Sequence, residues 1–361
     1  MDAHEIFCGE ALIDILWQVI MELFSTIVDM GTTNTRLNLV DSLGKVHGSV
    51  KGEFGVKDRA ASGSRDVLIQ GLHALVEEVA EKTSISPAQI TQMLCSGMII
   101  SEIGLVDIPH LFAPVNIKQL SANIRELSMP EILPAPIIFI PGIRNKIEEP
   151  SPDNLGKMDF MRGEETQVFG AIDLYEIPAP VTFMFLSSHT KLVDVDKDQR
   201  ITGSFTTLSG QIFNAFRFDT LLASSVPKKD PELLHEEALA RGIKAGIKNG
   251  ILRAGMMVRF MDVLIDTTAE ERFAFLEGLV IASDIYAIKS SYPFLRKHMV
   301  ILGNPLRAKA YELAFKQFFN SSIECRYLGE ESMDRSAIRG ALKIAELGAE
   351  GKNNLKLADT R

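Results

Sequence analysis

Cysteine is scarce in this sequence of 361 residues, and no two cysteines have the spacing of a Cys-x-x-Cys pair. An odd number of widely separated cysteines fits neither a disulfide framework nor a cysteine zinc site, and it suits a reducing cytoplasm. Low-complexity segments are also absent, so the composition is typical of a globular protein with a large core. The three cysteines are Cys8, Cys95 and Cys325.

Basic residues are missing from the start of the chain, where no Lys or Arg precedes Arg36. A secretory signal needs a basic start, so the apolar stretch at 11–24 does not resemble one. Acidic residues interrupt this stretch, which is too short and too charged to span a bilayer. We therefore expect no membrane association. We interpret residues 1–23 as an extension that forms an amphipathic helix or precedes a later start at Met21.

Acidic residues outnumber basic ones, 47 Asp and Glu against 38 Lys and Arg, which gives a net charge of -9. The general field of the protein therefore repels nucleic acid and acidic membrane surfaces. An anionic substrate would have to be bound by locally clustered cations. The chain length and the 46% hydrophobic content favour two lobes, each with its own core, and hence a cleft.

Two stretches of the chain predict the same meander of three short strands. The first runs from Phe24 through Val40 to a third strand after a polar turn, and the second covers 181–186, 191–195 and 200–205. Self-similarity at so long a spacing favours duplication of a whole lobe, although strand, turn and strand also recur by chance in α/β proteins. In a duplicated protein, the polar turns that follow the first strand of each meander would face each other.

The rest of the pattern is mainly helical, with a few short apolar runs. Apolar residues at helical spacing or capping signals predict helices at 65–82, from Asp230-Pro231, from Thr268 and at 337–347. Apolar runs that end at Gly or Ser predict buried strands at 92–96, 136–140 and 299–302.

An acid at the end of the first strand is followed by a turn rich in glycine and hydroxyl groups, Asp29-Met30-Gly31-Thr32-Thr33-Asn34. Gly31 would let the backbone approach an anion, and the threonines would donate hydrogen bonds to phosphate oxygens. Asp29 would hold Mg2+ directly or through water. A turn of this composition also joins many ordinary hairpins, so the sequence suggests a phosphate loop without excluding a plain turn.

A second polar run, Met161-Arg162-Gly163-Glu164-Glu165-Thr166-Gln167, precedes an apolar segment. Its acids are therefore expected in the first turn of a helix, where they also favour the helix dipole. A capping arrangement needs one Glu but does not need Arg162, two adjacent acids and Gln167 together. A carboxylate at this position would orient or deprotonate a substrate hydroxyl, and the sequence does not distinguish Glu164 from Glu165.

Several motifs, in this order along the chain, resemble those of the 2-dehydro-3-deoxygalactonokinase family. These are sugar-acid kinases of the actin-like, sugar-kinase and heat-shock ATPase superfamily. The run at 161–167 is the most distinctive motif, and the resemblance extends from about Ile27 to Leu347. The motifs are Asp29-x-Gly-Thr-Thr-Asn, Ser96-Gly97-Met98 with Ser101 and Gly104, Ile140-Pro141-Gly142, Met161-Arg-Gly-Glu-Glu-Thr-Gln167 with Gly170, and His189-x-Lys191.

The resemblance implies an α/β fold of two duplicated ribonuclease H-like lobes with a nucleotide cleft between them. Residues 24–178 would form lobe I, joined by a helix at 334–348, and residues 179–333 would form lobe II. A polar tail at 349–361 would fray.

The same resemblance implies that the γ-phosphate of ATP is transferred, with Mg2+, to the terminal hydroxyl of 2-dehydro-3-deoxy-D-galactonate. This reaction is a cytoplasmic step of galactonate catabolism. The implied partners are ATP and the sugar acid, without nucleic acid, and a homodimer is a further candidate assembly.

The resemblance also implies roles for individual residues. The implied catalytic residues are Glu164, Glu165 and Gln167. The implied nucleotide contacts are Gly31, Thr32, Thr33, Asn34, Ser187, Ser188, Lys191 and Gly303. The implied sugar-acid contacts are Gly97, Met98, Ser101, Arg162 and His189, and the implied metal ligand is Asp29.

The second phosphate loop departs from the family pattern. Where the family has Pro-Gly-Thr-His-x-Lys-Trp, this chain has Leu186-Ser187-Ser188-His189-Thr190-Lys191-Leu192. The missing glycine is expected to restrict the backbone near phosphate. Two alternatives therefore stand beside the kinase: a kinase of another sugar acid or a phosphohydrolase on the same scaffold, and a non-catalytic sensor of nucleotide or sugar acid.

Overall fold

The computed structural model describes residues 23–292, 295–319 and 323–358. Cys8 and the N-terminal segment at 1–22, with most of the helix expected at 11–24, lie outside these ranges. The described part of the chain contains strands and helices in alternation, which confirms an α/β fold.

Strands and helices follow one another along the described chain, and each set is numbered in chain order. The strands are β1 (Phe24–Met30), β2 (Thr35–Asp41), β3 (Val46–Gly52), β4 (Ile90–Gly97), β5 (Leu111–Phe112), β6 (Arg125–Met129), β7 (Leu133–Phe139), β8 (Ile143–Arg144), β9 (Phe160–Met161), β10 (Val181–Leu186), β11 (Thr190–Val195), β12 (Ile201–Thr207), β13 (His298–Gly303) and β14 (Glu324–Leu328). The helices are α1 (Val56–Ser62), α2 (Asp66–Thr83), α3 (Ile117–Ser121), α4 (Glu164–Tyr175), α5 (Ser209–Phe218), α6 (Glu236–Val263), α7 (Ala269–Ser291), α8 (Pro305–Phe318) and α9 (Glu331–Ala358).

Two large sheets share one plan within the described residues. Their strand orders are β3-β2-β1-β4-β7-β6 and β12-β11-β10-β13-β14. In each sheet the first three strands form an antiparallel meander, and the first strand of the meander also pairs in parallel with β4 or β13. Both predicted meanders are confirmed, as are the buried strands expected at 92–96, 136–140 and 299–302.

A small sheet of two-residue strands, in the order β5-β8-β9, joins the larger ones. Ile143 pairs with Leu111 and Met161, and the next residue, Arg144, pairs with Phe112 and Phe160. Successive side chains point to opposite faces of a strand. Ile143 and Met161 are fully buried in the core, whereas Phe112 and Phe160 lie on the other face and are more than half exposed.

Two helix boundaries differ from the prediction. The helix expected from Asp230-Pro231 begins instead at Glu236, with His235 as its cap, because Asp230 pairs with Arg217 and accepts a hydrogen bond from Asn304. The tail expected to fray from 349 continues α9 to Ala358, and 359–361 lie outside the described residues. The helix expected from Thr268 is confirmed as α7, and the Thr268 hydroxyl caps its first turn.

Helices α4 and α9 cross in close contact. A Cβ atom at Gly340 would overlap the carbonyl oxygen of Thr166, and one at Gly170 would overlap that of Ser336. One hydrophobic cluster combines side chains of both helices with side chains of both large sheets, such as Ile27 and Phe183. The two helices therefore connect the sheets through a common core. None of the helices in the described ranges has the length and hydrophobicity needed to cross a membrane.

The crossing of α4 and α9 predicts a stability difference between two glycines of the same helix. Gly340→Ala forces the helix backbones apart and is expected to lower the free energy of unfolding by about 1–3 kcal/mol. Gly351→Ala, at a position with open space around it, is the control and should raise stability by up to about 1 kcal/mol through helix propensity. Urea denaturation measures both. Equal behaviour of the two variants would show that the helices do not rely on this contact.

Candidate active site

The turn after β1 has a fixed backbone and exposed side chains. The N–H group of Gly31 donates to the carbonyl of Asn34 over 2.8 Å. The carbonyls of Gly31 and Thr32 accept hydrogen bonds from the first turn of α1 at 3.3 and 3.0 Å. Thr32, Thr33 and Asn34 are exposed, so their polar groups face solvent on a rigid turn.

Asp29, at the end of β1, lies against Gly97 and Gly163. Both glycines have positive φ, 86° and 107°, and a Cβ atom at Gly97 would come within 2.7 Å of Asp29 Oδ1. Asp29 is exposed to solvent, but the protein packed around its carboxylate limits its hydration. This partial desolvation raises the pKa of Asp29, and the Glu164 carboxylate raises it further. Asp29 and Glu164 are therefore neighbours in space, although they are distant in sequence.

The structure separates the two adjacent glutamates of α4. Glu164 is partly exposed, and its Oε2 accepts a hydrogen bond from the backbone of Arg162 at 3.1 Å. Glu165 is fully buried, and its two carboxyl oxygens accept from the N–H group of Gly163 at 2.8 and 2.9 Å. Burial raises the pKa of Glu165 to about 8, and Glu164 adds to the rise. Glu164 is thus the glutamate that solvent reaches, while the buried Glu165 holds the Gly163 turn from the core side. Gln167 is half-buried in the first turn of α4.

Lys191 reaches from β11 of the second sheet to the start of α4. Its Nζ lies 3.4 Å from Glu164 Oε1 and donates to the carbonyl of Phe160 over 2.7 Å. Its side chain is only 10% exposed, and an ammonium group so far from water needs such partners. Asp29, Glu164 and Lys191, all predicted as site residues, are therefore brought together from three separate elements.

The second predicted phosphate loop packs on the start of α5. Ser187 and Ser188 are exposed, and the ring of His189 lies between Ser188 Oγ, at 3.1 Å, and Gln211 Nε2, at 3.3 Å. A Cβ atom at Gly210 would overlap the carbonyl oxygen of Ser187. Neither serine has positive φ, so this loop conformation does not require the glycine that the family pattern has at this point.

Gly303 ends β13 beside the second loop. It has φ of 124°, and a Cβ atom there would overlap the carbonyl oxygen of Leu186. Arg307, in the first turn of α8, donates to the carbonyl of Ser187 over 3.3 Å and pairs with the buried Glu277 at 2.8 Å. The end of β13 and the second loop therefore form one continuous edge of the second sheet.

The predicted sugar-acid contacts lie around the loop that follows β4. Ser101 is buried, and its hydroxyl donates to the carbonyl of Met98 over 2.7 Å. The guanidinium of Arg162 donates to the carbonyls of Ile100 and Ile108, the latter over 3.4 Å. Ser101 and Arg162 therefore use hydrogen bonds to hold this loop, while Met98 remains partly exposed.

Three ionisable residues near the candidate site could not be identified from the sequence: His110 and Asp159, on which the charge of Lys191 acts, and Arg144, whose charge acts on His110. Burial lowers the pKa of His110 to about 4, and the charges of Arg162 and Arg144 lower it further. Burial raises the pKa of Asp159, and Lys191 opposes that rise. These residues lie in irregular segments or in a two-residue strand, where periodicity carries no signal.

Comparison with known proteins gives a consistent result. A family model described as 2-keto-3-deoxy-galactonokinase matches residues 29–338. A curated relative from Rhizobium meliloti (strain 1021), named probable 2-dehydro-3-deoxygalactonokinase, is 25% identical over 260 residues, which cover 72% of this chain and 78% of the relative. A crystal structure of a protein assigned as a 2-dehydro-3-deoxygalactonokinase, from Sinorhizobium meliloti, has a TM-score of 0.67 at 21% identity. The match covers 89% of this chain and 97% of the other. The structural match shows a shared fold.

The buried Glu165 predicts that stability falls as pH rises. Its folded-state pKa of about 8 lies above the ordinary 4.5, so its stabilising contribution is complete below pH 4.5 and is lost progressively as pH rises to 8. Between pH 6 and pH 8 this loss should be on the order of 2 kcal/mol. Glu165→Gln keeps the hydrogen-bond acceptor without the ionisation, so its unfolding free energy should decline less over that interval. Parallel pH curves for the two proteins would contradict this assignment.

Proposed function

Because the chain belongs to the 2-keto-3-deoxy-galactonokinase family, we propose that it transfers the γ-phosphate of ATP to the terminal hydroxyl of 2-dehydro-3-deoxy-D-galactonate. The observation that carries the proposal is the convergence of Asp29, Glu164 and Lys191. Two carboxylates and one ammonium group from both large sheets and α4 meet there. Such a set suits a reaction that depends on positioning and on neutralising phosphate charge.

The proposal assigns the two large sheets to duplicated ribonuclease H-like lobes. Their identical meanders and parallel neighbours support duplication. Lobe I would cover 24–178 with the helix at 334–348, and lobe II would cover 179–333. The turns after β1 and β10 would then face each other across the nucleotide cleft, and the crossing of α4 and α9 would be the point about which the lobes move.

ATP is proposed to bind between the two phosphate loops. Thr32, Thr33 and the backbone of Gly31 offer donors on a rigid turn, and Ser187 and Ser188 offer hydroxyls on the opposite loop. Gly303 lets the end of β13 pack directly against Leu186 beside the second loop, where the adenosine part of the nucleotide is proposed to bind.

The donor set at Asp29 fits magnesium bound together with nucleotide. Among residues 23–292, 295–319 and 323–358, no three His, Cys, Asp or Glu side chains are grouped as metal ligands. Mg2+ is commonly held by one or two carboxylates, with phosphate oxygens and water as its other ligands. Asp29 would hold the ion, and the ion would neutralise charge on the phosphates.

Glu164 is proposed to orient the substrate hydroxyl and to accept its proton. It is the exposed glutamate of the pair, and Lys191 keeps it fixed at 3.4 Å. Glu165 is proposed to act as a positioning residue, since it holds the Gly163 turn from the core side. The sugar acid would lie near Gly97 and Met98, with Gln167 and His189 at its edges.

The two glutamates predict different effects of the same substitution. Glu164→Gln should lower kcat by about a hundredfold or more, because the proton acceptor is lost. Glu165→Gln should keep kcat within about tenfold, since the native carboxyl is largely protonated at neutral pH and the amide oxygen still accepts from Gly163. A coupled ADP-release assay measures kcat, with circular dichroism as the folding control. A larger loss in Glu165→Gln would reverse the two roles.

The substrate is tested by ADP release with Mg-ATP and a panel of 2-keto-3-deoxy sugar acids. We expect turnover that requires added sugar acid and is fastest with the galacto isomer. Preference for another isomer would identify a kinase of a different sugar acid. ADP release without any sugar would indicate a phosphohydrolase, and calorimetric binding of ATP without turnover on any sugar acid would indicate a sensor.

A further inference from the structure

The outer face of the small sheet carries an arginine between two exposed aromatic rings. Arg144 in β8 pairs with Phe112 of β5 on one side and with Phe160 of β9 on the other. Its guanidinium lies 4.7 Å from the centre of the Phe112 ring. The two rings are 53% and 56% exposed, which is unusual for side chains that otherwise favour the core.

The charge of Arg144 is not compensated by a neighbouring acid. Within the described residues, Arg144 has no carboxylate salt-bridge partner, whereas Arg162 lies 4.0 Å from Glu102 and Lys191 lies 3.4 Å from Glu164. An arginine stacked on an aromatic ring is oriented in advance, and its planar donors match a carboxylate.

Charged side chains of both signs surround His110, which lies beside Arg144. His110 packs edge-on against Phe160 at 5.3 Å. Burial lowers the pKa of His110, and the charges of Arg162, Arg144 and Lys191 lower it further. Glu102 opposes them only weakly, since it is 73% exposed. In a protein of net charge -9, an arginine that is stacked on an aromatic ring and has no carboxylate salt-bridge partner among the described residues marks a place where an anion can be bound.

We propose that Arg144, framed by Phe112 and Phe160, binds the carboxylate of the sugar acid. This inference rests on the proposed sugar-acid kinase function and identifies the residue that selects an acid over a neutral sugar. Lys191 donates to the backbone carbonyl of Phe160 and pairs with Glu164. It therefore links the face of the small sheet that carries Arg144 to the side of the site that carries Glu164. A linear sugar acid would place its terminal hydroxyl at Glu164 and its carboxylate at Arg144.

The proposal is tested by the kinetics of Arg144→Gln. The KM for the sugar acid should rise about tenfold or more, because a charge-assisted contact is lost. The KM for ATP and the kcat at saturating sugar acid should stay within about threefold, and Arg144→Lys should fall between wild type and Arg144→Gln. Arg241→Gln, an exposed arginine of α6 that pairs only with Glu237 among the described residues, is the matched control and should leave every constant unchanged.

A second arm uses the uncharged C1 amide of the same sugar acid. The wild-type enzyme should prefer the acid to the amide by about tenfold or more in kcat/KM, and Arg144→Gln should bring this ratio close to one. A merely structural role for Arg144 would weaken both substrates equally and leave the ratio unchanged, which would overturn the inference.

The two proposals can fail separately. Wild-type turnover of the sugar acid with an unchanged KM in Arg144→Gln would overturn the carboxylate site and leave the kinase function intact. Absence of wild-type turnover would overturn the kinase function. Calorimetry with the sugar acid alone would then decide: binding that Arg144→Gln abolishes supports the site, and absence of binding by the wild-type protein overturns it.

Discussion

The contact of Lys191 with Glu164 and Phe160 is the interaction on which the candidate site depends. Burying an ammonium group without partners costs free energy. Loss of the contacts with Glu164 and Phe160 would leave the charge of Lys191 unpaired in the protein interior. Its strand belongs to the second sheet, whereas its partners belong to the small sheet and to α4. The Lys191 side chain therefore connects β11 to β9 and to α4, the helix whose Glu164 lies next to Asp29.

Adjacent glutamates acquire different chemistry because a helix turns by about 100° for each residue. Glu164 is partly exposed and pairs with Lys191. Glu165 points into the core, where burial favours the protonated form and the carboxyl accepts hydrogen bonds from Gly163. The positive φ of Gly163 and the position of Asp29 beside it thus depend on a buried acid. Glu164 is therefore the accessible residue of the pair, and Glu165 supports the turn that precedes it.

Much of the fold was predictable from the sequence because the central strands of the large sheets are short apolar runs separated by clear polar turns. The helix start at Asp230 was wrong, since that carboxylate is recruited by Arg217 and Asn304, and such a tertiary contact leaves no local pattern. The polar runs at Asp29 and at 161–167 supplied candidate site residues that the structure brings together, but sequence alone did not separate Glu164 from Glu165. Arg144 was missed because a two-residue strand has no readable period, and only its pairing with Phe112 and Phe160 reveals the cluster.

The second phosphate loop shows how a family pattern can change without backbone strain. Ser187 stands where the family pattern has glycine, yet neither Ser187 nor Ser188 has positive φ, so residues other than glycine can form this turn. The position that must lack a side chain is instead Gly210, which packs directly against the loop. A Cβ atom there would overlap the carbonyl oxygen of Ser187. The requirement for a small residue therefore lies on the helix that packs under the loop. Serine in the loop then adds hydroxyl donors where phosphate is proposed to bind, which favours retention of nucleotide binding over its loss.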